Sequence, residues 1–430
     1  MTTFGTTDYP SSNVTVDSGG TIAVSAAFEN TIGIVGGMNT ENGSANTGET
    51  IRVSSSGATN QFGEDSELKD AVDLAARNGV NTIYACPVPE TETTESISAT
   101  TSGTLDNVPI FDPNVNGEHE LSGTDTSESA ELTFNVVYES PPSTPTEDNT
   151  INVNPNTGEF EADESSDYDI TYTYGDYDTA IADLAKKVPR TMAVGTESIT
   201  TANTLLTTLN TYAQTFDFMH GFVGAEPDLT PADYSNTLDD RRISVVGPSR
   251  GYTDAANTNM VRTVNAVAAT QSAKPLGEST TADSISGIVD IYQDFSGDFK
   301  KLTDAQVLPL RKSGNIEIVK DMTTSTDVKF ERIYASEVTD EASEISNRIS
   351  SQFIGEPNTG TNRNLLGESH DSAYAEMQRD NILDAYQIDI EEGADPNTLD
   401  LDIALDIVDV IDFITVDITV GDIVENGGAS

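Results

Sequence analysis

The sequence predicts an α+β/α/β protein: a mixed-sheet core, an antiparallel, β-sandwich-like domain inserted into it, and extended segments at both ends. Three observations lead there. A strand–helix–strand unit is legible between Thr31 and Cys86. The stretch from Asn78 to Ala185 contains no Lys or Arg and carries several runs of period two. The chain then closes on two alternations, Leu399, Leu401, Ile403, Leu405 and Ile407, followed by Ile414, Val416, Ile418 and Val420, which have the period of strands rather than helices.

In chain order, residues 1–20 are polar and irregular and read as an arm. Thr31 to Val35 is a short apolar strand closed by Gly36 and Gly37, and Ile51 and Val53 suggest another. Phe62-Gly63 is a turn, Asp65 can cap a helix, and Leu68, Ala71, Val72 and Ala75 fall at helical spacing before the Asn78-Gly79 stop. Val80 to Cys86 is a buried strand. In the inserted region Leu132–Tyr138, Thr150–Val153 and Tyr168–Tyr174 alternate, separated by the turn clusters Pro141-Pro142, 154–158 and Gly175-Asp176. Helices are expected at 178–187 and 201–217, a strand at Arg242–Val246, and an Ala-rich helix at 254–269. Thr303 and Gln306 read as a capping box for an apolar helix through Val307, Leu308 and Leu310 to Gly314. Strands follow at Ile316–Val319 and Phe330–Tyr334. Ala342, Ile345, Ile349 and Phe353 form one helical stripe, and a last helix near 370–384 leads into Tyr386–Ile390 and the terminal strands.

Asp and Glu number 72 against 21 Lys and Arg, for a formal charge of −51 over 430 residues. In dilute buffer such a chain repels itself; in about 1 M salt the Debye length falls to roughly 3 Å and the repulsion is screened. The charge points to a salt-loving source, and the structural periods along most of the chain argue against acidic disorder. It also argues against nucleic acid as a direct partner, because phosphate contacts need clustered cations. Cys86 is the only cysteine, so no internal disulfide forms, and its apolar run makes it a buried small residue rather than a nucleophile. The N-terminus shows no secretory pattern and no run reaches membrane-span length, which leads to the expectation of a soluble protein made in the cytoplasm.

Candidate chemistry is sparse. Gly33-Ile-Val-Gly-Gly37 follows a strand, but the next helix starts far downstream, so it reads as a strand-ending turn rather than a phosphate loop. Asp112-Pro-Asn-Val-Asn-Gly117 matches the first half of a calcium loop but has Gly123 where the bidentate Glu belongs, so it reads as a plain turn. His119, His220 and His370 lie in separate segments without metal spacing. Gly247-Pro-Ser-Arg-Gly251 matches the nucleophile elbow, with His370 downstream of Ser249 in the order a hydrolase uses, but nothing in the sequence joins the two, and the segment reads as a structural turn. No catalytic, cofactor-binding or metal residues are assigned.

Taken in order, these pieces resemble the sheath proteins of contractile phage tails and related injection machines. The resemblance rests on Gly33–Gly37, on Phe62-Gly63 with the helix Ser66 to Asn78 and Ile83-Tyr84-Ala85, on Ile243 to Tyr252, on Leu302–Val307 with Gly314–Ile318, on Arg332 within a strand, and on Ile382–Ile390 followed by a polar turn and two long strands. It implies an N-terminal arm (1–25), a core in two parts (26–90 and 178–397), an outer β domain (91–177) and C-terminal arm strands (398–430). It implies a structural subunit, not an enzyme, that forms stacked six-fold rings around an inner tube and contracts to drive the tube through a cell envelope. The implied partners are the chain itself, the tube protein, and baseplate and terminator proteins, with no nucleic acid and no membrane insertion. The implied place is a virion tail, as of an archaeal virus, or an injection particle assembled in the host cytoplasm. Arms at roughly 5–25 and 398–421 would cross to neighbours, with Leu399, Leu401, Ile403, Ile414, Val416 and Ile418 buried at the shared sheet; a plain hairpin within one subunit is the alternative. Arg379, on the helix near 370–384, is the candidate tube contact. The rival readings are an α/β hydrolase-like enzyme using Ser249 and His370, and a secreted β-rich binding protein.

Overall fold

The computed structural model describes residues 30–410, apart from 116–118, 120, 228–229, 233–236, 296 and 396. The N-terminal arm expected at 1–25 therefore lies outside the described residues.

The chain enters through β1 (Thr31–Gly36), an apolar strand buried along its whole length. After β2 (Ile51–Val53) and α1 (Ser55–Phe62) comes α2 (Glu67–Arg77). Its cap is Ser66, whose hydroxyl accepts from Lys69 N at 3.1 Å, rather than Asp65, which takes a left-handed turn at φ 57°. Such a cap contributes about 1 kcal/mol. Leu68, Ala71, Val72 and Ala75 form the buried face, and the helix stops at Gly79 with φ 89°. β3 (Thr82–Pro87) follows.

The next elements are β4 (Glu90–Thr104), β5 (Ser122–Asp125), β6 (Ala130–Glu131), β7 (Thr133–Val136), β8 (Thr150–Val153) and β9 (Glu159–Gly175). They make one six-stranded sheet in which β4, β5 and β8 all pair with the long β9. The pairing is antiparallel except between β7 and β8, which run parallel. Leu105, Ile151, Phe160, Tyr168, Ile170 and Tyr172 fill its core.

The chain then returns through α3 (Tyr177–Ala185), β10 (Thr191–Val194), α4 (Ile199–Ala213), β11 (His220–Gly224), β12 (Ile243–Gly247), β13 (Arg250–Tyr252), β14 (Met260–Arg262), α5 (Thr263–Ala273), β15 (Ser284–Ile285), β16 (Asp290–Ile291), α6 (Phe299–Asp304), β17 (Val307–Ser313) and β18 (Asn315–Ile318). It ends in α7 (Ile333–Ser351), α8 (Gly360–Arg379), β19 (Leu383–Glu392) and β20 (Leu399–Ile407).

A nine-stranded sheet runs β15-β18-β17-β12-β11-β10-β1-β3-β2. From β17 to β3 every neighbouring pair is parallel, and β2, β18 and β15 add antiparallel margins. β1 lies between β3 and β10, so the strands before and after the β4–β9 excursion meet on either side of it. Residues alternate between two cores, as in a parallel sheet covered on both faces. Ile32, Ile34, Phe222, Val246 and Leu308 pack against Phe62, Leu68, Val72, Val264 and Val267. Val35, Met192, Val194, Val223 and Val245 pack against Tyr177, Ile181, Leu184, Leu205 and Leu209. A separate core holds α7, α8 and the β19–β20 ribbon together.

Several elements differ from the sequence reading. Residues 254–259 are a turn, because the Asp254 carboxylate accepts from Thr258 N at 2.9 Å and Asn259 N at 2.8 Å, and the helix starts only at Thr263. The run from Val307 is strand β17, not a helix; its first four residues are all buried, and a fully buried strand shows no alternation. Residues 330–334 are not a strand, and Arg332 is the N-cap residue of α7. The last helix begins at Gly360 behind the Thr359 cap; Gly360 and Gly367 hid its first half.

Candidate functional site

β19 and β20 form a two-stranded ribbon joined by a short turn in which Gly393 N donates to Thr398 O at 3.1 Å. The register pairs Ile388 with Ile403, Ile390 with Leu401 and Glu392 with Leu399. Alternation gives the ribbon two unlike faces. On the inner face Tyr386, Ile388, Ile390, Leu399, Ile403, Leu405 and Ile407 are half-buried against a core of Val338, Ala342, Ile345 and Ile349 from α7 and Leu366, Ala373, Tyr374 and Met377 from α8. The outer face is exposed and acidic, with Asp389 opposite Asp402 and Glu391 opposite Asp400.

Among the described residues both long edges of the ribbon are unpaired, and each overlooks a trough. Beside β19 a depression of about 600 Å³ is lined by Arg363, Gly367 and Asp371 of α8 and by Tyr386, Ile388 and Ile390. Beside β20 there are two. One of about 300 Å³ lies between Leu399 and Leu401 and the C-terminal end of α7, at Ser350 and Phe353. The other, about 550 Å³, lies between Ile403, Leu405 and Ile407 and the N-terminal end of α7, at Tyr334, Ala335 and Thr339. α7 thus runs antiparallel to β20 along its open edge. Half-buried apolar side chains, free backbone donors and acceptors and a flanking helix make a surface that an extended strand can complete.

The sequence-predicted residues fall as follows. Leu399, Leu401 and Ile403 lie on β20, half-buried and paired with β19 of the same chain. Ile414, Val416 and Ile418 lie outside the described residues. Arg379 closes α8, exposed, with Nη2 at 3.5 Å from Glu376 Oε1.

A second concentration of chemistry sits at the C-terminal ends of β1, β10, β11 and β12, where open α/β sheets usually hold ligands. Here the place is filled by the chain's own charges. Arg250, fully buried, bonds to Asp112 and to Glu197, with Nη2 to Oε2 at 3.2 Å, and its guanidinium lies 3.8 Å from the Tyr138 ring centroid. Arg262 bonds Glu67 at 2.7 Å and also Glu197. Burial alone would raise Glu197, but the two arginines outweigh it and hold its carboxyl at about 2. Gly37 N donates to Glu67 Oε2 at 3.1 Å, so the Gly33–Gly37 turn grips a carboxylate of α2. The Asp112 carboxylate is committed to Arg250 and to the Tyr138 hydroxyl at 3.0 Å, and the Asn114 amide closes a turn on it at 2.9 Å.

At the opposite end of the sheet Arg190, just before β10, grips Glu337 of α7 through Nη2 to Oε2 at 2.8 Å. Arg242, just before β12, bonds Asp340 of α7 at 3.0 Å, and Arg241 bonds the same carboxylate. None of these pairs was legible beforehand. The available signal was the rarity of cations: in a chain this poor in Arg, one at the end of an apolar strand is a candidate for a buried partner.

The hydrolase constellation is not assembled. Ser249 is buried and leads into strand β13, not a helix. His370 bonds through its two ring nitrogens to Ser346 Oγ at 3.2 Å and Leu366 O at 2.9 Å. His220 bonds Ser244 Oγ at 2.8 Å, and His119 lies 3.2 Å from Glu90. Burial pushes the Cys86 thiol up to about 11, which removes its nucleophilic form near neutrality. Among the described residues no group of His, Cys, Asp and Glu has metal-site geometry, and no helix is long and apolar enough to cross a membrane.

No protein-family model matches the sequence, and no curated protein matches it. Solved structures do match. The helical sheath of the anti-feeding prophage in its contracted state superposes with a TM-score of 0.57 at 12% identity, over 96% of this chain and 99% of that one. The sheath tail protein of Desulfitobacterium hafniense gives 0.55 at 11% identity, over 92% and 100%. The contracted PVC sheath complex of an extracellular contractile injection system gives 0.55 at 12% identity, over 96% and 98%. The chain is similar in fold, over nearly its whole length, to sheath proteins of contractile tails and injection systems.

Proposed function

We propose that this chain is a contractile sheath subunit. It polymerises as stacked six-fold rings around an inner tube and contracts to drive that tube through a cell envelope. The single observation that carries the reading is the β19–β20 ribbon, half-buried and, among the described residues, unpaired on both edges beside two helices, in a chain similar in fold to sheath proteins. Extended segments of neighbouring copies, roughly 5–25 and 398–421, complete the ribbon into a larger sheet. Leu399, Leu401 and Ile403 supply the receiving inner face, and Ile414, Val416 and Ile418 are delivered to a neighbour. The segments 26–90 and 178–397 act as one core, and 91–177 forms the outer domain.

Partners are further copies, the tube protein, and baseplate and terminator proteins, with Arg379 as the tube contact; nucleic acid and membrane insertion are not part of the reading. The particle is a virion tail, as of an archaeal virus, or an injection device put together in the host cytoplasm. The charge of −51 supports a halophilic source. The work of contraction comes from rearranged subunit interfaces, and no enzymatic step is required.

Negative-stain imaging of the full chain in molar salt tests this. Tubes or rings are expected, and a variant lacking 398–430 should form none. A uniform monomer at every salt and concentration overturns it, and normal tubes from the truncated chain overturn the strand exchange alone. R379E should leave self-assembly intact and weaken tube co-assembly; unchanged tube binding removes Arg379 from the contact.

A further inference from the structure

Absence of charge marks burial among the helices of this chain. α5 contains no Asp, Glu, Lys or Arg and is buried almost throughout. The helices α2, α3, α6, α7 and α8, which each keep a face to solvent, all carry such residues. Among the described residues two helices break the pattern. α4 lies within the uncharged run 198–216, yet Ile199, Asn203, Thr207 and Thr211 are exposed along one stripe. α1 lies within the uncharged run 53–63, with Ser55, Ser56 and Asn60 exposed. In a protein of charge −51 an outer helix face would ordinarily be acidic. Thr and Asn are also poorer helix formers than Glu or Lys, so the α4 stripe gives up local stability.

The stripe is built to be covered. Asn203 Nδ2 donates to Ile199 O at 2.9 Å, Thr207 Oγ1 to Asn203 O at 2.8 Å and Thr211 Oγ1 to Thr207 O at 2.8 Å. With these donors turned back onto their own helix, the threonine methyls are outermost, and covering them strands none of the donors. The two uncharged helices sit on opposite faces of the nine-stranded sheet. Ala58 and Phe62 of α1 belong to one core, and Ala202, Leu205 and Leu209 of α4 belong to the other. Contact between two different patches is heterologous, and it repeats from copy to copy into a ring or a row.

We propose that the α4 face of one copy packs head to tail on the α1 face of a second copy. The contact rests on the reading that this chain polymerises, and not on the β19–β20 ribbon. The 15 residues of α4 span about 22 Å. At about 10 Å in width the face covers far less than the roughly 800 Å² per partner of a stable pair. It is too small to hold a free dimer, and it acts where other interfaces already set copies side by side.

The test uses full-length S56C and T207C chains, in which the native Cys86 is buried. Each is assembled alone and in an equal mixture in molar salt, then treated with a short bis-maleimide. Linked dimers are expected in the mixture at least about tenfold above either pool alone, as a heterologous contact requires. Links within the T207C pool alone overturn the head-to-tail contact. A T207C thiol shielded only once the tube protein is added assigns α4 to the tube and also overturns it. T207E/T211E should raise the concentration needed for assembly at least about tenfold, in molar salt as in dilute buffer, because the new charges must lose their water. T207V/T211V keeps the methyls and should assemble as the parent does. Normal assembly of T207E/T211E in molar salt, or failed assembly of T207V/T211V, overturns the proposal. Tubes whose mixed pool gives no excess of links sink it and leave the sheath reading standing. Rings or rows that link 56 to 207 without forming tubes uphold it and sink the sheath reading. A chain that stays single and unlinked at every salt and concentration sinks both.

Discussion

Asp389 faces Asp402 directly across the β19–β20 ribbon, and Glu391 faces Asp400 in the adjacent outward pair. Like charges in this position disfavour strand pairing by roughly 0.2–1 kcal/mol per pair. The chain therefore carries its repulsion on the ribbon that the sheath reading uses for assembly.

The first expectation concerns salt. D402N should raise ribbon stability in dilute buffer by about 0.5 kcal/mol, and the gain should vanish near 1 M salt, where screening acts over roughly 3 Å. Hydrogen exchange of β19 amides against salt concentration measures it. A gain that persists unchanged in molar salt would show that the pair does not act through charge.

Arg250 holds the β4–β9 region to the parallel sheet, since Asp112 belongs to the first and Glu197 to the second. R250M leaves the buried Asp112 carboxylate without its cation and Glu197 with Arg262 alone, and should cost about 3–5 kcal/mol. Denaturant midpoints report the loss, and limited proteolysis should locate new cleavage between 88 and 176. R250K should be nearly as damaging, because an ammonium cannot serve both carboxylates in a fixed fork.

Gly195 lies against the same network. A methyl group there would sit 2.0 Å from Glu67 Oε1 and 2.8 Å from its Cδ. G195A should push Glu67 off Arg262 and destabilise by about 2–3 kcal/mol. The double variant G195A/E67Q should lose little beyond the single one. Full additivity of the two would mean that the clash is not with Glu67.

Two carboxyls give opposite pH dependences. Glu197 is held at about 2, below the usual carboxyl value, so its contribution is complete above about pH 4.5 and is lost as pH falls toward 2. Glu341 on α7 is pushed up to about 7, first by burial and then by the neighbouring Glu344. Its native form holds a proton that the unfolded chain has already released, so stability falls as pH rises from about 4.5 to 7, by at most about 3 kcal/mol. E341Q should flatten urea midpoints between pH 5 and 8; an unchanged slope would show that Glu341 does not titrate there.

How far the sequence reached depends on the physics of each segment. α2 was found because its apolar stripe and its Asn78-Gly79 stop agree locally, although its cap is Ser66 and not Asp65. β20 was found because only one of its faces is buried, so the alternation survives. β17 was misread because burial on both faces erases the period, and the start of α8 was lost behind two glycines. The charge cluster could not be read at all: Glu67, Glu197 and Arg250 are far apart in the chain and meet only because parallel strands bring their ends together. The alternation of the ribbon was readable in sequence; the helices beside its edges, unpaired among the described residues, required the fold.

α7 is pinned near its N-terminal end by Arg190, Arg241 and Arg242 and flanks β20 from one end of the helix to the other. A pull on the ribbon therefore travels down one rigid rod and arrives at the floor of the sheet as shear across ion pairs rather than as peeling of strands. Clamps loaded in shear share the load, so such a pull has to break all three ion pairs before it can part α7 from the sheet.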